Sequence, residues 1–218
     1  MRQILNRKTW VWASILMLFS IWVLFAQVAT AKRYKILILG DSLTEGYGVE
    51  KTDAFPARLE VQLNQWQDRF QVINGGSSGS TSASGVRRLK WYAKSKPDLV
   101  FLTLGSNDGL RGVKPEATRK NLEAALDFCR MQKWPVILTG LKVPPNYGAE
   151  YTQAFEKIFP SLASKFQSPL LAFLLEGVAG EPDFNLADGL HPNERGHERI
   201  AENIFRFLRP ILGAANSK

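Results

Sequence analysis

The sequence predicts an α/β fold: a three-layer α/β/α sandwich around a five-stranded, mostly parallel sheet. Two observations carry that expectation. Short runs of consecutive apolar residues recur along the chain, as strands covered on both faces require. Between them lie amphipathic stretches of helical period. A third observation places the chemistry: glycines and small polar residues follow the first three apolar runs, at the strand ends where open α/β sheets bind ligands.

Taken in order, residues 1–31 stand outside that pattern. Arg2, Arg7 and Lys8 form a positive start, residues 10–26 carry no charge, and Ala29, Thr30 and Ala31 form an A-x-A-like cleavage site. This is the layout of a secretory signal peptide. The 17 uncharged residues fall short of the ~20 that usually span a membrane, so cleavage is expected rather than retention as an anchor. Removing 31 of 218 residues leaves 187 (32–218), enough for one domain with a sizeable core. The leader takes three of 28 basic residues and none of 20 acidic ones, so 25 face 20 and the balance is +5. A modest positive charge suits solubility and can favour anionic lipid surfaces.

Ile36 to Leu39 reads as the first buried strand, Val72 and Ile73 as a second, Leu99 to Leu104 as a third, Val136 to Leu138 as a fourth, and Leu170 to Leu174 as a fifth. Phe55, Leu59, Leu63 and Trp66 share one helical face, with Pro56 near the start of that helix. Arg87, Arg88, Lys90, Lys94 and Lys96 lie along another helix and read as a solvated face. Leu122, Ala125, Leu126 and Cys129 form a further apolar face, which makes Cys129 a small buried hydrophobe. One helix is expected over 149–166. A last one runs from Pro192 to about Leu208, with Ile200, Ile204, Phe207 and Leu208 inward.

The rare residue types narrow the chemistry. One cysteine excludes an intrachain disulfide and any multi-cysteine metal site, and two histidines exclude a His₃ site. No metal and no cofactor is expected. The glycine-rich stretch at 75–79 lacks the following lysine of a phosphate loop. Nucleic-acid binding is not expected of an exported chain whose basic cluster is a solvated face.

What remains is a hydroxyl, an imidazole, a carboxylate and several amide donors, the parts of a serine hydrolase. Gly40, Asp41, Ser42, Leu43 and Thr44 follow the first strand. Asn74 to Thr81 follow the second, Gly105 to Asp108 the third, and Asp188, Gly189, Leu190, His191 and Pro192 come late in the chain. A serine hydroxyl needs a base, and histidine titrates near neutrality. Asp188 lies three residues before His191 across a glycine, a spacing that lets the carboxylate meet Nδ1–H. His197 has no aspartate at useful spacing and reads as a surface or helix-packing residue, with Glu194 and Glu198 facing solvent. Asp41 and Asp108 read as structural turn residues. Ser42 also suits a helix N-cap. A second candidate nucleophile is Ser77, since Gly75, Gly76, Ser77, Ser78 and Gly79 satisfy the G-x-S-x-G elbow of α/β-hydrolases.

Gly40-Asp41-Ser42-Leu43 resembles the GDSL signature, and with Gly79, Asn107 and His191 it is similar to the four blocks of the SGNH hydrolases. Residues 107–112, 145–148 and 188–193 extend that likeness over nearly the whole mature chain, toward the bacterial periplasmic acyl-CoA thioesterase, lysophospholipase and protease I type. The resemblance implies a flavodoxin-like SGNH fold. It implies Ser42 as nucleophile, Asp188 and His191 as its partners, and Ser42 N–H, Gly79 N–H and the Asn107 side chain as the oxyanion hole. Two positions depart from the type: Ser106 stands where it carries glycine and Ser80 where it carries aspartate. The implied substrates are small acyl esters and thioesters, lysophospholipids, and aryl or fatty esters. Segments 109–113 and 143–151 are candidate acyl-groove walls, with Leu110 and Tyr147 as substrate contacts. A periplasmic or secreted monomer with transient membrane-lipid contact is expected. The alternatives are a polysaccharide O-deacetylase of the same fold, an esterase using Ser77, and a tethered binding protein without activity.

Overall fold

A computed structural model of the protein describes residues 32–214. The expected leader, 1–31, lies outside them. Five strands form one sheet: β1 (Tyr34–Gly40), β2 (Phe70–Gly75), β3 (Leu99–Thr103), β4 (Val136–Thr139) and β5 (Leu170–Leu171). Their order is β2-β1-β3-β4-β5, and every pairing is parallel. This is the doubly wound order with its switch point beside β1.

Continuous apolar sequence makes the strands because both faces are covered. Ile36, Leu37, Ile38 and Leu39 are all fully buried, as are Val100, Phe101 and Leu102. Burial of each such side chain stabilises the fold by about 1.5–3 kcal/mol. The fifth strand is shorter than expected. It pairs with β4 only through Leu170 and Leu171, after which the chain leaves the sheet and Leu174 packs into the core from a turn.

Eight α-helices complete the described residues: α1 (Ser42–Glu45), α2 (Phe55–Trp66), α3 (Gly85–Tyr92), α4 (Ser106–Leu110), α5 (Pro115–Met131), α6 (Ala149–Glu156), α7 (Ile158–Phe166) and α8 (Glu194–Ala214). In α2, Phe55, Leu59 and Leu63 recur every fourth residue and are buried against β2 and α8. On the other face of the sheet α5 packs between α3 and α7, burying Leu122, Ala125, Leu126 and Cys129. Cys129 is thus the buried hydrophobe its spacing indicated.

Two helix boundaries differ from expectation. The stretch 149–166 is two helices, broken at Lys157, so that Phe155 and Phe159 both reach the core. The last helix starts at Glu194, because Pro192 is held in an antiparallel bridge with Asn185, and it continues past Leu208 through Pro210. Phe207 is only half-buried there.

Candidate active site

The first strand delivers its serine through a turn that tolerates no side chain before it. A Cβ at Gly40 would lie 1.9 Å from Thr44 Oγ1. Asp41, fully buried, caps α1: its Oδ1 accepts the Leu43 amide at 3.1 Å. Ser42 therefore does not act as the cap but occupies the first helical position, with its side chain partly open to solvent. Burial pushes the Asp41 carboxyl up to about 6, opposed by the Leu43 amide and the nearby Ser106 hydroxyl. No hydrogen bond of normal geometry joins Asp41 Oδ2 to Ser106 Oγ, so the hydroxyl acts there as a nearby dipole.

The imidazole comes from one tight turn near the C-terminus. Asp188 Oδ1 accepts the amides of Leu190 and His191, each at 2.9 Å, which fixes the carboxylate against its own neighbour. Oδ2 then meets His191 Nδ1 at 2.7 Å. His191 Nε2 lies 3.0 Å from Ser42 Oγ. A proton on Nδ1 satisfies the carboxylate, which leaves the Nε2 lone pair to accept from the serine hydroxyl. The His191 amide, the His191 ring and the Leu190 amide together hold Asp188 down to about 2, although its side chain remains 39% exposed.

Three further groups surround the serine. Among the described residues the amides of Ser42 and Gly79 have no intramolecular acceptor. Asn107 Nδ2 uses one of its two protons on Ser80 O, at 3.1 Å. The loop bearing Gly79 is seated on α1: a Cβ at Gly76 would lie 2.1 Å from Glu45 N. Glu45 Oε2 accepts the Ser78 amide at 2.7 Å and also the Ser78 hydroxyl. Arg111 Nη2 donates to Gly79 O at 3.2 Å. Asp108, beside Asn107, is buried and accepts from the Ser82 amide at 2.7 Å, the Ser82 hydroxyl and Thr118. Both Asp41 and Asp108 are structural, as their sequence context suggested.

The other candidates separate. Ser77 is exposed in the loop after β2, and the imidazole faces Ser42 instead. That loop leads into a 3-10 turn rather than a strand-turn-helix elbow. His197 is fully buried, not on the surface: its Nδ1 accepts the Phe55 amide at 3.2 Å and its ring stacks on Phe55. Glu198 is half-buried and pairs with Arg58, so it does not simply face solvent. The two expected groove walls are joined: Tyr147 Oη donates to Leu110 O at 2.7 Å and Tyr151 Oη to Val113 O at 2.9 Å. Leu110 is 37% exposed, but Val143 is buried behind Gly109 and backs the wall instead of lining it.

Sequence reasoning missed three neighbours of the site. Tyr47 lies against the His191 ring, Glu45 grips the Gly79 loop, and Arg88 turns inward from the basic cluster instead of sharing its solvated face. A signal existed for Arg88 alone. It falls on the stripe of Gly85, Leu89 and Tyr92, at helical spacing, so its side chain starts on the packed side.

Comparison with known proteins bears on the family and the fold. Residues 38–199 match the GDSL-like lipase/acylhydrolase family. Esterase TesA of Pseudomonas aeruginosa is 37% identical over 191 residues, 87% of this chain and 94% of that protein. Thioesterase 1/protease 1/lysophospholipase L1 of Escherichia coli is 38% identical over 178 residues, 81% of this chain and 84% of that protein. Among solved structures, the psychrotrophic esterase EstA from Pseudoalteromonas sp., inhibited by monoethylphosphonate, aligns with a TM-score of 0.79 at 30% identity. That alignment covers 83% of this chain and 99% of that one. With its motifs in order along a parallel five-stranded sheet, the chain belongs to the GDSL-like lipase/acylhydrolase family and is a hydrolase.

Proposed function

We propose that the protein is a serine esterase that cleaves carboxylic esters and thioesters through an acyl-Ser42 intermediate. The observation that carries the reading is the aligned set Asp188, His191 and Ser42, with contacts of 2.7 and 3.0 Å. Ser42 Oγ attacks the acyl carbon while His191 Nε2 takes its proton. Asp188 holds the imidazole in the reactive tautomer and stabilises the imidazolium. The amides of Ser42 and Gly79 and the free proton of Asn107 Nδ2 receive the developing oxyanion. His191 then protonates the leaving alcohol or thiol, and the same nitrogen activates the water that releases the acid.

The substrate class is acyl thioesters, lysophospholipids, and aryl or fatty esters. Leu110 and Tyr147 contact the acyl chain. The names of the two relatives above, an esterase and a thioesterase/lysophospholipase, support that class. We further propose that the enzyme is exported to the periplasm or beyond after loss of residues 1–31, and works as a monomer in transient contact with membrane lipid. The leader layout supports export.

A p-nitrophenyl ester chain-length series beside acyl-CoA substrates tests the reading. Wild type should turn over medium-chain esters and thioesters. Ser42→Ala should lose more than ~10³-fold, and Ser77→Ala should retain most activity. A live Ser42→Ala enzyme overturns the assignment. Activity confined to acetyl esters would instead favour polysaccharide deacetylation. Intact mass of the exported protein reads cleavage after Ala31.

A further inference from the structure

The basic cluster is neither one helix nor uniform: α3 ends at Tyr92, so Lys94 falls in a 3-10 turn and Lys96 just after it. Arg87 and Lys90 are exposed, but Arg88 is half-buried and points at the ends of two neighbouring strands. Its Nη1 donates to Gly40 O at 2.6 Å, and its Nη2 donates to Gly75 O. Gly40 is the last residue of β1 and Gly75 the last of β2, and the ladder between the strands ends at the pairing of Leu39 with Gly75. Beyond that point the two chains diverge. One turns into Asp41 and Ser42, the other into the loop that presents Gly79.

Parallel strands lie ~4.8 Å apart, and the planar fork of a guanidinium can bridge carbonyls at that spacing. No other side chain can satisfy both with fixed geometry, and lysine offers only one point donor. The fork thus extends the ladder by one rung at the place where the backbone can no longer do so. Burial lowers the Arg88 pKa, as expected for a cation drawn out of water, and Tyr92 and then Asp41 oppose that effect. Two buried or half-buried charges of opposite sign therefore sit beneath the nucleophile turn.

We infer that Arg88 is a positioning residue for the oxyanion hole: by holding Gly40 O and Gly75 O together, it sets the separation of the Ser42 and Gly79 amides. The inference rests on the reading of Ser42, Gly79 and Asn107 given above. An oxyanion hole works only when its donors are already placed for the tetrahedral state, and loss of one donor costs ~10²–10³ in rate. A loop free to drift relative to the serine should therefore lower kcat and leave the acyl-binding groove, and with it KM, nearly unchanged.

The test compares Arg88→Met, Arg88→Lys and Ser42→Ala with wild type on one medium-chain p-nitrophenyl ester, with a trifluoromethyl ketone as a mimic of the tetrahedral adduct. Arg88→Met should lose about 10²-fold in kcat with KM within about threefold, and its affinity for the ketone should fall in step with kcat/KM. Arg88→Lys should recover part of the loss. A folded Arg88→Met protein with kcat within about threefold of wild type, beside a silent Ser42→Ala, overturns the inference and leaves the nucleophile assignment standing. An active Ser42→Ala overturns the nucleophile assignment itself. Should Arg88→Met fail to fold, Arg88→Lys decides: a kcat loss of about tenfold at unchanged KM and melting temperature supports the role, and an unchanged kcat overturns it.

Discussion

The Tyr47 ring lies against the His191 imidazole, with centroids 4.5 Å apart and planes tilted by 42°. Tyr47 is 52% exposed, so it covers one face of the base from the solvent side. An aromatic face beside a cation contributes ~0.5–1 kcal/mol at an exposed site, and the proposed mechanism makes His191 a cation when it takes the serine proton. Tyr47→Ala should therefore lower kcat/KM about two- to fivefold, with Tyr47→Phe close to wild type. Steady-state kinetics on a short aryl ester would measure it, and an unchanged Tyr47→Ala enzyme would remove the ring from the account.

The amide and ring of His191 and the Leu190 amide hold the Asp188 carboxyl down to about 2. The acid limb of the rate profile should therefore not belong to this carboxylate. Asp188→Asn should lose ~10²–10⁴ in kcat by releasing the wrong tautomer. Because the group is exposed, its melting temperature should scarcely move. A large drop in melting temperature with modest loss of rate would reverse that assignment of roles.

The two histidines should part cleanly. His191→Gln should silence the enzyme, whereas His197→Asn keeps an acceptor near Nδ1 for the Phe55 amide and should remain active. His197 instead shapes acid stability. Burial first, and then the Arg58 charge, lower its pKa from 6.5 to about 4, with Asp53 opposing. Between those values the unfolded chain binds a proton that the folded chain refuses, so stability falls as pH drops from 6.5 toward 4. The loss approaches about 3 kcal/mol at ~1.4 kcal/mol per pH unit. Asp41 acts with opposite sign. Its folded value of about 6 exceeds the ordinary 3.8, so protonation favours the fold as pH falls through that window. Urea midpoints at pH 7 and pH 4.5 should show the gap between wild type and His197→Asn narrowing on acidification. Parallel curves would contradict the buried neutral imidazole.

Leu110 offers the most direct handle on acyl length. It is exposed at the last position of α4 and fixed through its carbonyl by Tyr147. Leu110→Ser should cost about tenfold in kcat/KM on octanoyl esters and little on acetyl esters, a difference of the size that small changes in apolar contact produce. Equal losses on both would place Leu110 outside the groove.

How much of this was legible beforehand depended on whether the cause was local. The strands could be read because Ile36 to Leu39 or Leu99 to Thr103 declare burial on both faces by themselves. The Asp188–His191 pair could be read because its hydrogen bonds close within three residues. The break at Lys157 could not, since it depends on how Phe155 and Phe159 pack on distant partners. His197 was left open between the surface and helix packing for the same reason: only the Phe55 amide, 142 residues away, decides for packing. The basic helix shows the limit most clearly. Composition makes the three cations of α3, Arg87, Arg88 and Lys90, look alike, and only the helical stripe through Gly85, Leu89 and Tyr92 sets Arg88 apart.

The contact between His191 and Ser42 spans 149 positions of the chain. Ser42, the proposed nucleophile, lies near the start of the described residues, and His191, its proposed base, lies beside the bridge of Asn185 with Pro192 and just before α8, which packs on α2. On the proposed assignment, the return of activity during refolding should follow the docking of α8 on α2 rather than the formation of the sheet.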